Sequence, residues 1–64
     1  MTRKRLVKLL MGCGCPRNVA QWNADRALRH FKSYADFWRI AKPWFNFRKK
    51  FFEFRRAFLE ALEL

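Results

Sequence analysis

Apolar residues recur every three or four positions through most of the chain, which is the spacing of one face of an α-helix. Residues 2–11 form the first such segment, with Thr2 as its expected N-cap. Gly12 and Gly14 follow it, and glycine supplies the left-handed conformation that often ends a helix. Pro16 then suits the first position of a second helix. The pattern therefore predicts two short helices joined by a tight turn.

The second segment carries a narrow stripe of small residues, Ala20, Ala24 and Ala27, at helical spacing. Small side chains allow a neighbouring helix to approach closely, so this face is expected to be buried. Ser33, with Asp36 three residues later, resembles a capping box and predicts the start of a third helix. That helix is expected to end before Pro43 because the residue preceding a proline avoids helical geometry.

Residues 43–64 continue the helical pattern and predict a helix about 33 Å long if it is unbroken. We call its main apolar stripe the seam, and it consists of Trp44, Phe47, Phe51, Phe54, Phe58 and Ala61. A second stripe, made of Phe45, Phe52 and Leu59, lies about 100° away from the seam. The expected fold is all-α, with a compact three-helix module over residues 1–42. The long amphipathic helix then packs on this module or on a partner.

The charge of the chain is the first feature that bears on its function. The 64 residues include 15 Lys and Arg against 5 Asp and Glu, which gives a formal net charge of +10. Such a field attracts polyanions, namely nucleic acid, acidic protein or anionic lipid. Eight Phe, three Trp and one Tyr exceed the needs of so small a core, and surplus aromatic surface indicates a partner. A surface that serves solubility alone is the plain alternative.

The two cysteines, Cys13 and Cys15, could be metal ligands, a redox pair, a lipid attachment site or part of a turn. A tetrahedral site needs two further donors, and only His30 and the weak donor Met11 are at hand. We expect a structural turn in which Cys15 fills a small apolar slot, with a copper(I)-type or intermolecular site as the alternative. The apolar run before Cys13 is short for a lipoprotein signal and is interrupted by Lys8. The expected location is therefore the cytoplasm.

Catalysis is not expected from these residues. His30 has no carboxylate at a helical spacing and no paired nucleophile. A two-metal nuclease would need clustered carboxylates. The five acids are instead scattered along the chain, as Asp25, Asp36, Glu53, Glu60 and Glu63. The sequence predicts a non-enzymatic protein without a metal or another cofactor.

Two resemblances involve the first two thirds of the chain. The runs "TRKRLVKLLM", "RNVA" and "SYADFW" resemble a group of short uncharacterised proteins of phages and prophages of Gram-positive gut bacteria, which implies a phage context inside a host cell. The run "LLMGCGCPRNVAQWNA" is similar in plan to three-helix ubiquitin-associated domains. In that register Cys15 stands where the family places a bulky apolar residue of its binding loop. This second resemblance therefore implies a fold and not ubiquitin binding.

These features together predict a small basic protein that binds nucleic acid or a ribonucleoprotein. In a phage, such a protein could inhibit a host defence complex, as anti-CRISPR proteins do. The expected contacts to phosphates, bases or an acidic partner are Arg3, Lys4, Arg5, Lys8, Trp22, Arg26, Arg29, Arg48, Lys49, Lys50, Arg55 and Arg56. Trp22 either stacks on a base, anchors a protein interface, or is covered by the fourth helix with Arg26 over its ring.

Two rival functions belong to other classes. One is an interaction module that forms oligomers through Trp44, Phe51 and Phe58, while an acidic host protein would be bound by the basic surface. The other is a peptide that lies on an anionic membrane surface. The expected helix or partner interface is formed by Trp44, Phe45, Phe47, Phe51, Phe52, Phe54, Phe58 and Leu59. Binding to nucleic acid or a ribonucleoprotein is the preferred prediction, and the membrane is the least favoured partner.

Overall fold

The computed structural model describes residues 1–63, which are all-helical and include no strand. This confirms the predicted all-α class. The chain forms four α-helices, with two short 3₁₀ turns, Lys42–Trp44 and Phe47–Lys49, between the third and the fourth. In chain order the helices are α1 (Arg3–Gly12), α2 (Arg17–His30), α3 (Tyr34–Ala41) and α4 (Phe51–Leu62).

The ends of the first three helices lie at the residues that the sequence singled out. The Ser33 hydroxyl accepts a hydrogen bond from the Asp36 backbone N–H at 3.4 Å, so the predicted cap of α3 is formed. Thr2 is extended and precedes α1, although its side chain makes no capping hydrogen bond. Pro16 lies immediately before α2. The α3 helix ends at Ala41, two residues before the proline.

The prediction of one long helix over residues 43–64 is wrong for residues 43–50, which form two short 3₁₀ turns and the residues between and after them. Asn46 adopts left-handed backbone angles, with φ 65, and separates the two 3₁₀ turns. An α-helix resumes only at Phe51. Apolar spacing reports which side chains share a face, and a chain of short turns can maintain that face without a continuous helix. Asparagine is one of the few residues that adopt the left-handed region at low cost.

One hydrophobic core joins the N-terminal helices to the C-terminal segment. In this core α1 packs on α2 across the alanine stripe, and α3 packs on α4. Four phenylalanines of the seam point inward, so α4 lies back on the rest of the chain instead of projecting from it. The buried core consists of Leu6, Leu10, Cys15, Ala20, Ala24, Ala27, Phe37, Ala41, Phe47, Phe51, Phe54 and Phe58.

The turn between α1 and α2 holds the C-terminal segment in place. Gly14 has φ 92, and a Cβ atom on it would lie 3.0 Å from the backbone oxygen of Arg48. The Arg48 guanidinium in turn donates two hydrogen bonds, at 3.1 and 3.2 Å, to the Gly12 carbonyl oxygen. Since that carbonyl belongs to the last turn of α1, which has no helical N–H to satisfy it, Arg48 acts as a C-terminal cap. The two contacts fix where the segment before α4 begins.

Candidate nucleic-acid interface

Trp22 is the centre of a cluster made by two helices that are distant in sequence. The Arg26 guanidinium carbon lies 4.9 Å from the centre of the Trp22 ring, and that of Arg55, on α4, lies 4.7 Å from it. Both distances are those of a cation–π interaction. The ring remains 41% exposed. Helix α4 therefore reaches Trp22 and supplies an arginine to its ring without covering it, and stacking on a base or anchoring a protein interface stays a prediction.

A guanidinium that lies over a ring uses its face, whereas its N–H donors lie in its plane. The outer edges of Arg26 and Arg55 can therefore still donate to an anion. Their Nε atoms are shielded from solvent and have no hydrogen-bond partner among residues 1–63. Beside Arg55 lies an open hollow of about 280 Å³ that is lined by Asn18, Val19, Trp22 and Arg55. The arrangement places two cations against one partly exposed aromatic side chain.

No carboxylate within the described chain neutralises this cluster. Asp25 is the only acid on α2, and its Oδ1 atom accepts from Arg3 Nε at 2.7 Å. Asp36 is paired in the same way with Arg39 at 3.1 Å on α3. These are the two ion pairs that residues 1–63 form. Arg26 and Arg55 therefore have no acidic partner within residues 1–63.

The remaining predicted cationic contacts fall into two groups. Two of them make contacts within the chain that the sequence gave no reason to expect: the Arg5 guanidinium lies 4.7 Å from the centre of the Tyr34 ring, and Arg48 caps α1. The others are exposed and form no ion pair in the described part of the chain. These exposed residues are Lys4, Lys8, Arg29, Lys49, Lys50 and Arg56.

The residues predicted to form the helix or partner interface fall into a buried group and an exposed group. Phe47, Phe51, Phe54 and Phe58 lie in the chain's own core, and Trp44 and Leu59 are half-buried against it. Phe45 and Phe52 are 76% and 72% exposed. The seam therefore packs against the rest of the same chain. Two phenylalanines of the second stripe remain on the surface.

The two cysteines occupy different environments. Cys15 is 5% exposed and lies in the core, where its thiol donates to the Pro16 carbonyl oxygen at 3.3 Å. Burial raises the pKa of the Cys15 thiol to about 11, although Arg55 partly opposes the shift. Cys13 is half-buried, and burial raises the pKa of its thiol against the opposing charge of Arg48. Both thiols are protonated at neutral pH, which is unfavourable for nucleophilic or metal-binding chemistry.

The described residues bring no three His, Cys, Asp or Glu side chains together in a way that could hold a metal ion. Within the same residues, every helix is too short or too polar to cross a membrane.

Comparison of the chain with models of protein families, with curated proteins and with solved structures finds no significant match.

Proposed function

We propose that this protein binds nucleic acid, free or within a ribonucleoprotein, without catalysing a reaction on it. The proposal is carried by one observation: the guanidinium groups of Arg26 and Arg55 lie over the Trp22 ring with no acidic partner in the described chain. The two groups contact phosphates through their free edges. The net charge of +10 supplies the long-range attraction that brings a polyanion to this surface.

The exposed part of Trp22 suits a single strand, whose unpaired bases are free to stack. Since both guanidinium carbons lie within 5 Å of one ring centre, they are less than about 10 Å apart. Neighbouring phosphates fall within that span, because each strand of a DNA duplex carries one charge per ~3.4 Å of helix axis. An unpaired base can then use the exposed part of Trp22 or the hollow beside Asn18. In the phage context that the resemblance implies, the same surface would suit an inhibitor of a host defence ribonucleoprotein.

The test is the fluorescence anisotropy of labelled single-stranded RNA and DNA oligonucleotides titrated with the purified protein at several salt concentrations. We expect binding that weakens steeply between about 50 and 200 mM salt. The double variant Arg26→Gln/Arg55→Gln should lower the slope of log K against log salt by about 1.4, which corresponds to two lost contacts to a single strand. Circular dichroism checks that the variant remains folded.

The matched control is Lys32→Gln/Lys42→Gln, which also removes two cations without an acidic partner, from exposed positions outside the Trp22 cluster. It should change the slope by much less. If both double variants weaken binding equally, the interaction follows net charge and the cluster is not the site. Absence of binding to either oligonucleotide at low salt would overturn the proposed function.

A further inference from the structure

A groove separate from the Trp22 cluster runs along α1, where α1 and α3 do not pack closely on each other. One part of it encloses about 660 Å³ and is lined by Arg5, Lys8, Leu9, Gly12, Cys13, Tyr34 and Trp38. A second part of about 430 Å³ continues past Leu9, Gly12, Cys13 and Trp38 to residues 45–48. Because the two parts share these four residues, they form one continuous depression.

The two ends of the groove are fixed by arginines. At one end the Arg5 guanidinium lies over the Tyr34 ring, and at the other Arg48 is hydrogen-bonded to Gly12. Residues 5 and 12 are both on α1, so the groove extends for about 10 Å, or two helical turns. The floor is apolar and consists of Leu9, Cys13, Tyr34 and Trp38. A helix presents anchor side chains over this distance at positions i, i+3 or i+4, and i+7.

The charge of the rim indicates the chemistry of the occupant. Three cationic residues, Arg5, Lys8 and Arg48, line the groove, and no acidic residue does. None of the three forms an ion pair in the described part of the chain. A second copy would bring its own excess of positive charge to this rim, which opposes self-association. The Arg5 guanidinium already lies over the Tyr34 ring, and the non-aromatic part of the floor, Leu9 and Cys13, offers a base no ring to stack on, so nucleic acid would use this floor less fully than apolar side chains would.

We propose that this groove binds an amphipathic helix of an acidic partner protein, with apolar side chains against Trp38 and Leu9 and carboxylates at Arg5 and Lys8. This is an interaction surface distinct from the site of the proposed function. Each of the two proposals can therefore fail without the other.

The probe is a synthetic helical peptide of about four turns, with leucines at i, i+3 and i+7 and glutamates on its other positions. The half-buried Cys13 in the floor reports occupancy through its rate of alkylation in the wild-type protein, with tandem mass spectrometry separating it from Cys15. A saturating amount of the peptide should slow alkylation of Cys13 at least about fivefold, as expected for a floor residue that is covered on binding. A peptide of the same composition with its leucines scrambled should not.

Charge reversal locates the binding. Arg5→Glu/Lys8→Glu should weaken peptide binding by about tenfold or more, because it replaces attraction at the rim by repulsion. Arg26→Gln/Arg55→Gln, which lowers the net charge elsewhere, should leave Cys13 protection almost unchanged.

Three outcomes would overturn the proposal. The first is no protection of Cys13 at saturating peptide, and the second is equal protection by the scrambled peptide. The third is protection by an oligonucleotide alone or by raising the protein concentration alone, which would assign the groove to nucleic acid or to a second copy.

Discussion

Substitution of Phe54 by leucine tests whether α4 folds back on its own chain. The Phe54 ring is 1% exposed and is stacked on Phe47, with centroids 4.3 Å apart and planes at 16°. It also contacts Phe37, Phe51 and Phe58 at centroid distances of 5.9–6.3 Å. Phe54 therefore links the segment before α4, α4 itself and α3.

The expected cost follows from these contacts. Full truncation of a buried phenylalanine to alanine costs about 3–5 kcal/mol. A domain of 64 residues has a total stability of about 3–10 kcal/mol. The alanine cost therefore ranges from about a third of the total stability to all of it, and a milder substitution is the more informative test. Leucine retains most of the buried apolar surface and loses the ring contacts, each worth about 0.5–1.5 kcal/mol. We expect Phe54→Leu to lower the free energy of unfolding by about 2 kcal/mol.

The matched control is Phe52→Leu, the same chemical change in the same helix at a ring that is 72% exposed. It should alter stability by no more than about 0.5 kcal/mol. Urea unfolding followed by far-UV circular dichroism measures both variants, at two protein concentrations at least about tenfold apart so that any association shows. Equal costs for the two variants would contradict the burial of Phe54, and a midpoint that depends on protein concentration would show that the seam packs between chains and not within one.

Two further predictions concern the turn between α1 and α2. Gly14→Ala should destabilise the fold by about 1–3 kcal/mol, because it places a side chain at positive φ against the Arg48 carbonyl. Gly12→Ala in the same turn, where a Cβ meets nothing within 4 Å, should be neutral or stabilising by up to about 1 kcal/mol; thermal melts that rank the two variants the other way would contradict the role of Gly14. The second prediction follows from the pKa of Cys15, which burial raises from 9.0 to about 11. The folded chain therefore favours the protonated thiol more than the unfolded chain does. This contribution to stability is fully present below about pH 9 and is lost as the pH rises through 11. The stability difference between the wild type and Cys15→Ala should therefore shrink by about 1–2 kcal/mol from pH 8 to pH 11, and a constant difference would mean that Cys15 is solvated.

Most of the helix boundaries could be predicted from the sequence because local residues determine them. Ser33 accepts from the backbone of Asp36, which marks the start of α3. At the other end α3 stops at Ala41, but Lys42 keeps right-handed helical angles and the chain continues as a 3₁₀ turn through Pro43, so the expectation that the residue before the proline leaves helical geometry is wrong. The continuity of the fourth helix could not be predicted in this way. Its apolar spacing is satisfied equally by a helix and by the observed turns, and the choice depends on where Gly14 and Arg48 meet.

The candidate site was predictable to the same extent. Trp22 and Arg26 are four residues apart on one helix, so their contact follows from helical geometry. Arg55 reaches the same ring only because α4 folds back, and no local signal contains that information. The capping of α1 by Arg48 could not be predicted either, because it also depends on how the C-terminal segment folds back. A cation in a basic run has the same composition whether it binds a phosphate or caps a distant helix.

Repulsion among the cations of this chain connects its fold to the proposed function. A net charge of +10 opposes compaction, and only two ion pairs relieve it among the described residues. Three arginines are held instead over aromatic rings, at Tyr34 and Trp22. Such a contact stabilises a cation without neutralising it, whereas a carboxylate would cancel its field. A polyanion that binds these arginines would remove repulsion within the fold as well as gain contacts, so its binding and the stability of the folded chain are coupled.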